Sequence, residues 1–161
     1  MVTTIDPYRD KQTIKNIILE MVQRKKQVVY GQQSVNVQLP KHLRRKTKDV
    51  DIYTKKPEES AKELVDRLNK EFHTKKFKVV KGISKGTFKV KKGKKTIADY
   101  TSRTRKPTSK KILGIPYASL KYQKKRLTKT TKDPSLKYRH KKDMATLDKL
   151  NKYEMTKFLM S

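Results

Sequence analysis

Asp49 and Asp51 stand one residue apart in the stretch KDVDIYT, between the basic run RRKTK and the pair Ile52 and Tyr53. On an extended chain alternate side chains share a face, and a two-residue step covers about 7 Å at the backbone. The two carboxylates can therefore converge on a hard cation. Mg²⁺ takes one or two carboxylates and completes its octahedron with phosphate oxygens and water. Two such ions about 4 Å apart clamp the attacking and leaving oxygens of an in-line phosphoryl displacement. A third carboxylate from a neighbouring strand completes that kind of site. Asp99, in TIADYT, is the first acid after a lysine-only stretch, is preceded by Ile97 on the same face, and sits where a strand can lie beside DVDIY. The plainer reading is a pair of surface acids neutralised by Lys46, Lys48 and Lys55, with Asp99 an ordinary strand end.

The elements that must position these acids are legible in outline. Asp6 is a candidate N-cap with Pro7 at the first helical position, and Ile14, Ile17, Ile18, Met21 and Val22 follow at the spacing of an amphipathic helix. QVVYG reads as a short buried strand ending in Gly31, QQSVNVQLPKHLRRKT as a short helix or irregular crossover, and DVDIYT as a second strand. KPEESAKELVDRLNKEF is a helix, with Pro57 at its start and a stripe of Ala61, Leu64, Val65, Leu68 and Phe72. KFKVVKGI, TFKVKK and TIADYT are three short alternating segments separated by glycine turns, an antiparallel meander added to the sheet. SRTRKPTSKK reads as a basic loop. ILGIPYASLKYQKKRL reads as a short strand and then a helix from about Pro116. A final helix presents Met144, Leu147 and Leu150 on its apolar side. The expected fold class is α/β (α+β): one domain over residues 1–161, with a mixed, partly antiparallel sheet of about five strands, helices at one side and a helical C-terminal part over about 112–160.

The charge balance says what such a site would face. The 161 residues carry a formal net charge of +29, far more than solubility requires, which predicts attraction to polyanions such as nucleic acid or nucleotide phosphates. Residues 75–95 hold ten lysines and no acid, and residues 103–142 hold fifteen basic residues against Asp133 alone. Such runs are usually solvated faces; at this net charge at least one is expected to meet an anion. The absence of cysteine excludes disulfides, Cys-ligated zinc and thiol nucleophiles. His42, His73 and His140 are scattered and form no zinc or triad pattern, and GKKT at Gly93 is not a phosphate loop, because Lys95 stands where that motif needs Ser or Thr. No apolar run approaches the roughly 20 residues of a membrane span, and the N-terminal residues lack a signal-peptide core. A cytoplasmic or virion protein, within a large assembly, is expected.

The stretch VVYGQQSVNVQLPKHLRRKTKDVDIYT resembles the nucleotidyltransferase superfamily signature, in which a strand ends in glycine, a short helix follows, and the next strand carries Asp-x-Asp. It is most similar to the branch containing the AbiEii-type toxins, whose Arg-x-Ser/Thr-x-Asp-apolar-Asp pattern Arg45, Thr47, Asp49 and Asp51 match. GIPYASLKYQKKRL resembles that family's segment entering a C-terminal helix. YRHKKDMATLDKL resembles its later helix, with Arg139, Lys142, Asp143, Leu147 and Leu150 in register. The resemblance covers about residues 27–153, with a core over about 27–101. It implies transfer of a nucleoside monophosphate from a nucleoside triphosphate to an acceptor hydroxyl on nucleic acid or protein, with Mg²⁺ or Mn²⁺ held by Asp49, Asp51 and Asp99. It further implies that Gly31, Gln32, Ser34, Arg45 and Lys142 meet the nucleotide phosphates. The sequence departs from the pattern after the first strand. Where the family has Gly-Gly or Gly-Ser, Gly31 is followed by Gln32 and Gln33, with Ser34 one place late. A bulky side chain there can block a triphosphate. A catalytically degenerate, basic structural or nucleic-acid-binding component of a virion or ribonucleoprotein therefore stands as the alternative, and a ribosomal-type protein outside the family as a third.

Overall fold

The structure, a computed structural model, describes residues 7–103 and 105–160. The N-cap reading of Asp6 lies outside the described residues. Among the described residues there are five α-helices: α1 (Pro7–Arg24), α2 (Gly31–Gln38), α3 (Pro57–Glu71), α4 (Leu120–Thr130) and α5 (His140–Met160). Seven strands form one mixed sheet: β1 (Val28–Tyr30), β2 (Val50–Thr54), β3 (Phe77–Lys81), β4 (Thr87–Lys92), β5 (Lys95–Ser102), β6 (Ser109–Ile112) and β7 (Ile115–Ala118), in the order β3-β4-β5-β2-β1-β7-β6. The α/β class is as expected, with two strands more than the sequence suggested. Among the described residues no helix is long and apolar enough to cross a membrane.

The extra strands form a hairpin: β6 begins in the basic stretch read as a loop, and β7 covers the place where the short strand was expected to pass into a helix near Pro116. Ser109 to Ala118 is a hairpin, and its turn residues Leu113 and Gly114 both hold positive φ, +51° and +80°, as a two-residue turn that matches the strand twist requires. Pro116 lies in β7, and the helix starts at Leu120, where the Ser119 hydroxyl accepts from the Tyr122 amide. β7 then pairs in parallel with β1, which puts this hairpin on the flank of the sheet opposite β3.

One sheet face is the core. Val29, Val50, Ile52, Ala98 and Tyr100 are buried there under Ile18, Met21 and Val22 of α1 and Ala61, Leu64 and Leu68 of α3. A second cluster joins Val35 and Leu39 of α2 to Leu127 of α4 and Leu150 of α5. The buried side of α5 is rotated from the expected one. Asp143, Thr146 and Leu150 face inward, while Met144 is 59% exposed.

Candidate active site

Alternation along β2 sends Val50 and Ile52 into the core and Asp51 to the opposite face. Asp51 lies directly across from Asp99 on parallel β5 and from Tyr30 on antiparallel β1. Asp49 precedes the strand by one residue on the same side as Asp51. One carboxylate oxygen from each of Asp49, Asp51 and Asp99 lies within 4.8 Å of the others.

Asp99 reaches this face through a bulge. Val90 pairs with Ala98 and Lys91 with Thr96, so Ile97 is skipped in the ladder. An extra residue reverses the faces of everything beyond it. Ile97 joins Ala98 in the core, and Asp99 turns to the open face. The expectation that Ile97 and Asp99 share a face is thereby corrected.

Gly31, at the junction of β1 and α2, holds φ +71°. A Cβ there would stand 2.2 Å from Oδ2 of Asp51, so only glycine lets the chain pass the carboxylate. The same residue opens α2, whose start has no side-chain cap. The positive end of the helix, with first-turn amides lacking intrahelical partners, thus begins beside Asp51.

Three carboxylates this close repel one another. Burial, and then the neighbouring Asp99 carboxylate, raise Asp49 to about 6; the Lys142 ammonium acts in the opposite direction. Burial, followed by the charges of Asp49 and Asp99, holds Asp51 well above the usual carboxylate range, against the guanidinium of Arg126. Three convergent carboxylates form an all-oxygen donor set, which suits a hard divalent cation. The residues present therefore fit the Mg²⁺ or Mn²⁺ that the sequence implied.

The other residues singled out in the sequence divide. Gly31 and Lys142 are at the cluster. The Gln32 amide donates to Asn36 Oδ1 (2.8 Å), and its carbonyl oxygen accepts from the Thr146 hydroxyl (3.2 Å), which ties this side chain to α5. Ser34 is not at the cluster: it is fully buried, and its hydroxyl donates to the Ala118 carbonyl at 2.7 Å. Arg45 pairs with no acid among the described residues, and its Nη1 donates to the Lys142 carbonyl and the Thr146 hydroxyl, both at 2.8 Å. With Asn36 bonded to both backbone groups of Arg45, this network ties α2, the segment before β2 and α5 together. Asp143 and Arg139 are an ion pair at 3.1 Å with Asp143 3% exposed, not a solvated helix face.

Three further cations among the described residues were not singled out, two at the carboxylates and one on neighbouring tyrosines. Lys89 on β4 donates to Asp99 at 3.0 Å. Arg126 on α4, oriented by Gln123 (3.1 Å), stands over the Tyr30 ring. Arg103 stacks between Tyr53 and Tyr122. Only Lys89 had a usable signal, its position in the segment before TIADYT. Without the bulge, however, counting back from the Gly93 turn sets Phe88 opposite Asp99.

A family model described as the poly(A) polymerase catalytic subunit matches residues 16–130. Among solved structures, the Megavirus polyadenylate synthase superposes with a TM-score of 0.79 at 18% identity, covering 94% of this chain and 33% of that one. An antigenic nucleotidyltransferase-like protein from Paracoccidioides brasiliensis superposes with a TM-score of 0.48 at 13% identity, covering 92% of this chain and 78% of that one. The likeness to the synthase is one of fold, and this chain spans a third of the synthase's length. No curated protein matches by sequence.

Proposed function

This chain belongs to the family of the poly(A) polymerase catalytic subunit, and on that premise we propose that it transfers a nucleoside monophosphate, adenylate first among candidates, from a triphosphate to the 3′ hydroxyl of RNA. The nucleotidyltransferase-like fold is the framework. The observation that carries the reading is the convergence of Asp49, Asp51 and Asp99 within 4.8 Å beside the start of α2.

Asp49, Asp51 and Asp99 would hold divalent ions, which when bound would neutralise charge and polarise the reacting oxygens. The chain's own groups do the rest. The first amides of α2, passing Asp51 at Gly31, offer donors to phosphate oxygens, and Lys142 adds positive charge from α5. Asp99 orients the acceptor hydroxyl and takes its proton. The acceptor oxygen bonds to the α-phosphorus as the bond to the β-phosphate breaks, and pyrophosphate leaves. Because the Gln32 side chain is hydrogen-bonded to α2 and α5, the departure from the family's Gly-Ser gives no specific ground for a degenerate protein.

The test is label transfer from radioactive ATP to a short RNA with Mg²⁺ or Mn²⁺. The wild type should extend the RNA, and Asp51→Asn, which changes almost no volume, should lower the rate by at least about a thousandfold. A wild type inactive with every nucleotide and RNA supplied would refute the reading, and an active Asp51→Asn would refute the site.

A further inference from the structure

The strand registers place Val80, Lys89, Asp99, Asp51 and Tyr30 in one row across five strands. The row lies on the open sheet face, since its central members are the two strand carboxylates. A second row runs beside it, Lys78 opposite Lys91 and Lys91 opposite Thr96. This row lies on the side from which Asp49 projects: Asp49 precedes Asp51 on β2 as Thr96 precedes Asp99 on parallel β5.

Lys78 and Lys91 are directly paired like charges, a destabilising arrangement. Among the described residues neither has a carboxylate partner. Val80, at the outer end of the first row, is 41% exposed. Lys78, Lys91 and Val80 line an open groove of about 610 Å³ along the edge of the sheet. The groove is about two strands wide, roughly 10 Å, and the row beyond it continues through Lys89 to Asp99.

We infer that this groove is the track of the acceptor: the terminal phosphates of a single-stranded RNA lie on Lys78, Lys91 and Lys89, a base rests on Val80, and the 3′ hydroxyl arrives at Asp99. The inference rests on the proposed transfer reaction and adds the direction from which its acceptor comes. Unpaired lysines in register answer a repeating anion. Val80, beside Lys78 and across from Lys89, offers an apolar contact that suits a nucleobase better than an acidic peptide. Lys89 is bonded to Asp99 and stands where the track meets the site.

The experiment measures three bindings on folded protein: a short single-stranded RNA by fluorescence anisotropy, Mn²⁺ with a nonhydrolysable ATP analogue by calorimetry, and polyglutamate as an acidic-protein probe. The double variant Lys78→Glu/Lys91→Glu should weaken RNA binding about tenfold or more at 50 mM salt. It should also flatten the dependence of log Kd on log salt by about 1.4, the single-strand value for two phosphates. Nucleotide binding should not change. The charge-matched control Lys110→Glu/Lys111→Glu, on the exposed strand at the other edge of the sheet, should weaken RNA binding by less than about threefold. The single variant Lys78→Glu supplies a fold check, since it creates a cross-strand pair with Lys91 and should not lower Tm. Equal losses in the two double variants, or none in Lys78→Glu/Lys91→Glu, overturn the track. Polyglutamate binding that exceeds RNA binding at the same salt and depends on Lys78 overturns RNA as its occupant. Loss of nucleotide binding to the wild type, with the RNA effect intact, refutes the transfer reading and leaves the groove as an RNA site.

Discussion

A methyl group on Gly31 would meet Asp51 Oδ2 at 2.2 Å, in a residue already held at φ +71°. Either the carboxylate moves or the turn does, so Gly31→Ala should cost about 1–3 kcal/mol and weaken Mn²⁺ binding at the same time; calorimetry and thermal denaturation check both. Asp49 and Asp51 give a second expectation. The folded protein keeps the Asp49 proton to about pH 6, whereas an unperturbed aspartate releases it near 3.8. A raised carboxylate favours the folded state at low pH, and its contribution falls as pH rises from about 4 through 6. Asp51, raised for the same reasons, acts in the same direction. Asp51→Asn removes one of the repelling charges. In chelator, its Tm should therefore exceed that of the wild type at pH 8 by a few degrees, with the gap closing towards pH 4. Saturating Mn²⁺ at pH 8 should reverse the order, because only the wild type keeps the full ligand set. A wild type more stable than Asp51→Asn in chelator at pH 8 contradicts the repulsion argument.

At the scale of elements, one extra residue decides whether the three acids meet. Deleting Ile97 restores regular pairing between β4 and β5, and a one-residue shift exchanges the two faces of the strand beyond it. Asp99 would then point at α3 and Tyr100 at the open face. The deletion should therefore abolish Mn²⁺ binding as fully as Asp99→Ala does, while also lowering stability by several kcal/mol. Asp99→Ala leaves the fold near wild type, and that contrast in Tm separates re-aiming from removal. The bulge also marks where sequence reading stops. Strands β1 to β5, α1 and α3 were legible because their apolar residues recur at the period of the element, as Ile18, Met21 and Val22 do. Asp49 and Asp51 were legible because their spacing alone sets their common face. A bulge has no periodic signature, so the facing of Ile97 and Asp99 and the pairing of Lys89 with Asp99 were not. The hairpin of β6 and β7 was hidden by lysines at the edge strand, where exposed residues need no alternation. The i,i+4 spacing of Arg139 and Asp143 is local, but the burial of Asp143 against Thr130 of α4 is set by tertiary packing and has no signal in the sequence.

At the scale of the molecule, the +29 charge acts on every equilibrium of the chain. Attraction to RNA alone says little, because the unfolded chain carries the same charge. What folding adds is placement. It brings Lys78, Lys89 and Lys91 onto the face that carries Asp99, so the folded protein offers a concentrated line of cations where the unfolded chain offers a dispersed one. A ligand that prefers the folded state raises Tm by mass action. Salt acts twice and in opposite directions. Between about 50 and 500 mM, screening of self-repulsion should raise the Tm of the free protein by a few degrees, while release of counterions weakens RNA binding by orders of magnitude. The rise in Tm produced by saturating single-stranded RNA should therefore be several degrees at the low salt and vanish at the high one. Lys78→Glu/Lys91→Glu should remove most of that rise at low salt, whereas Lys110→Glu/Lys111→Glu should keep it. If RNA raised Tm equally at both salts, phosphate contacts would not be its main hold. If RNA lowered Tm at low salt, it would prefer the dispersed charges of the unfolded chain, and the folded surface would have no focused anion site.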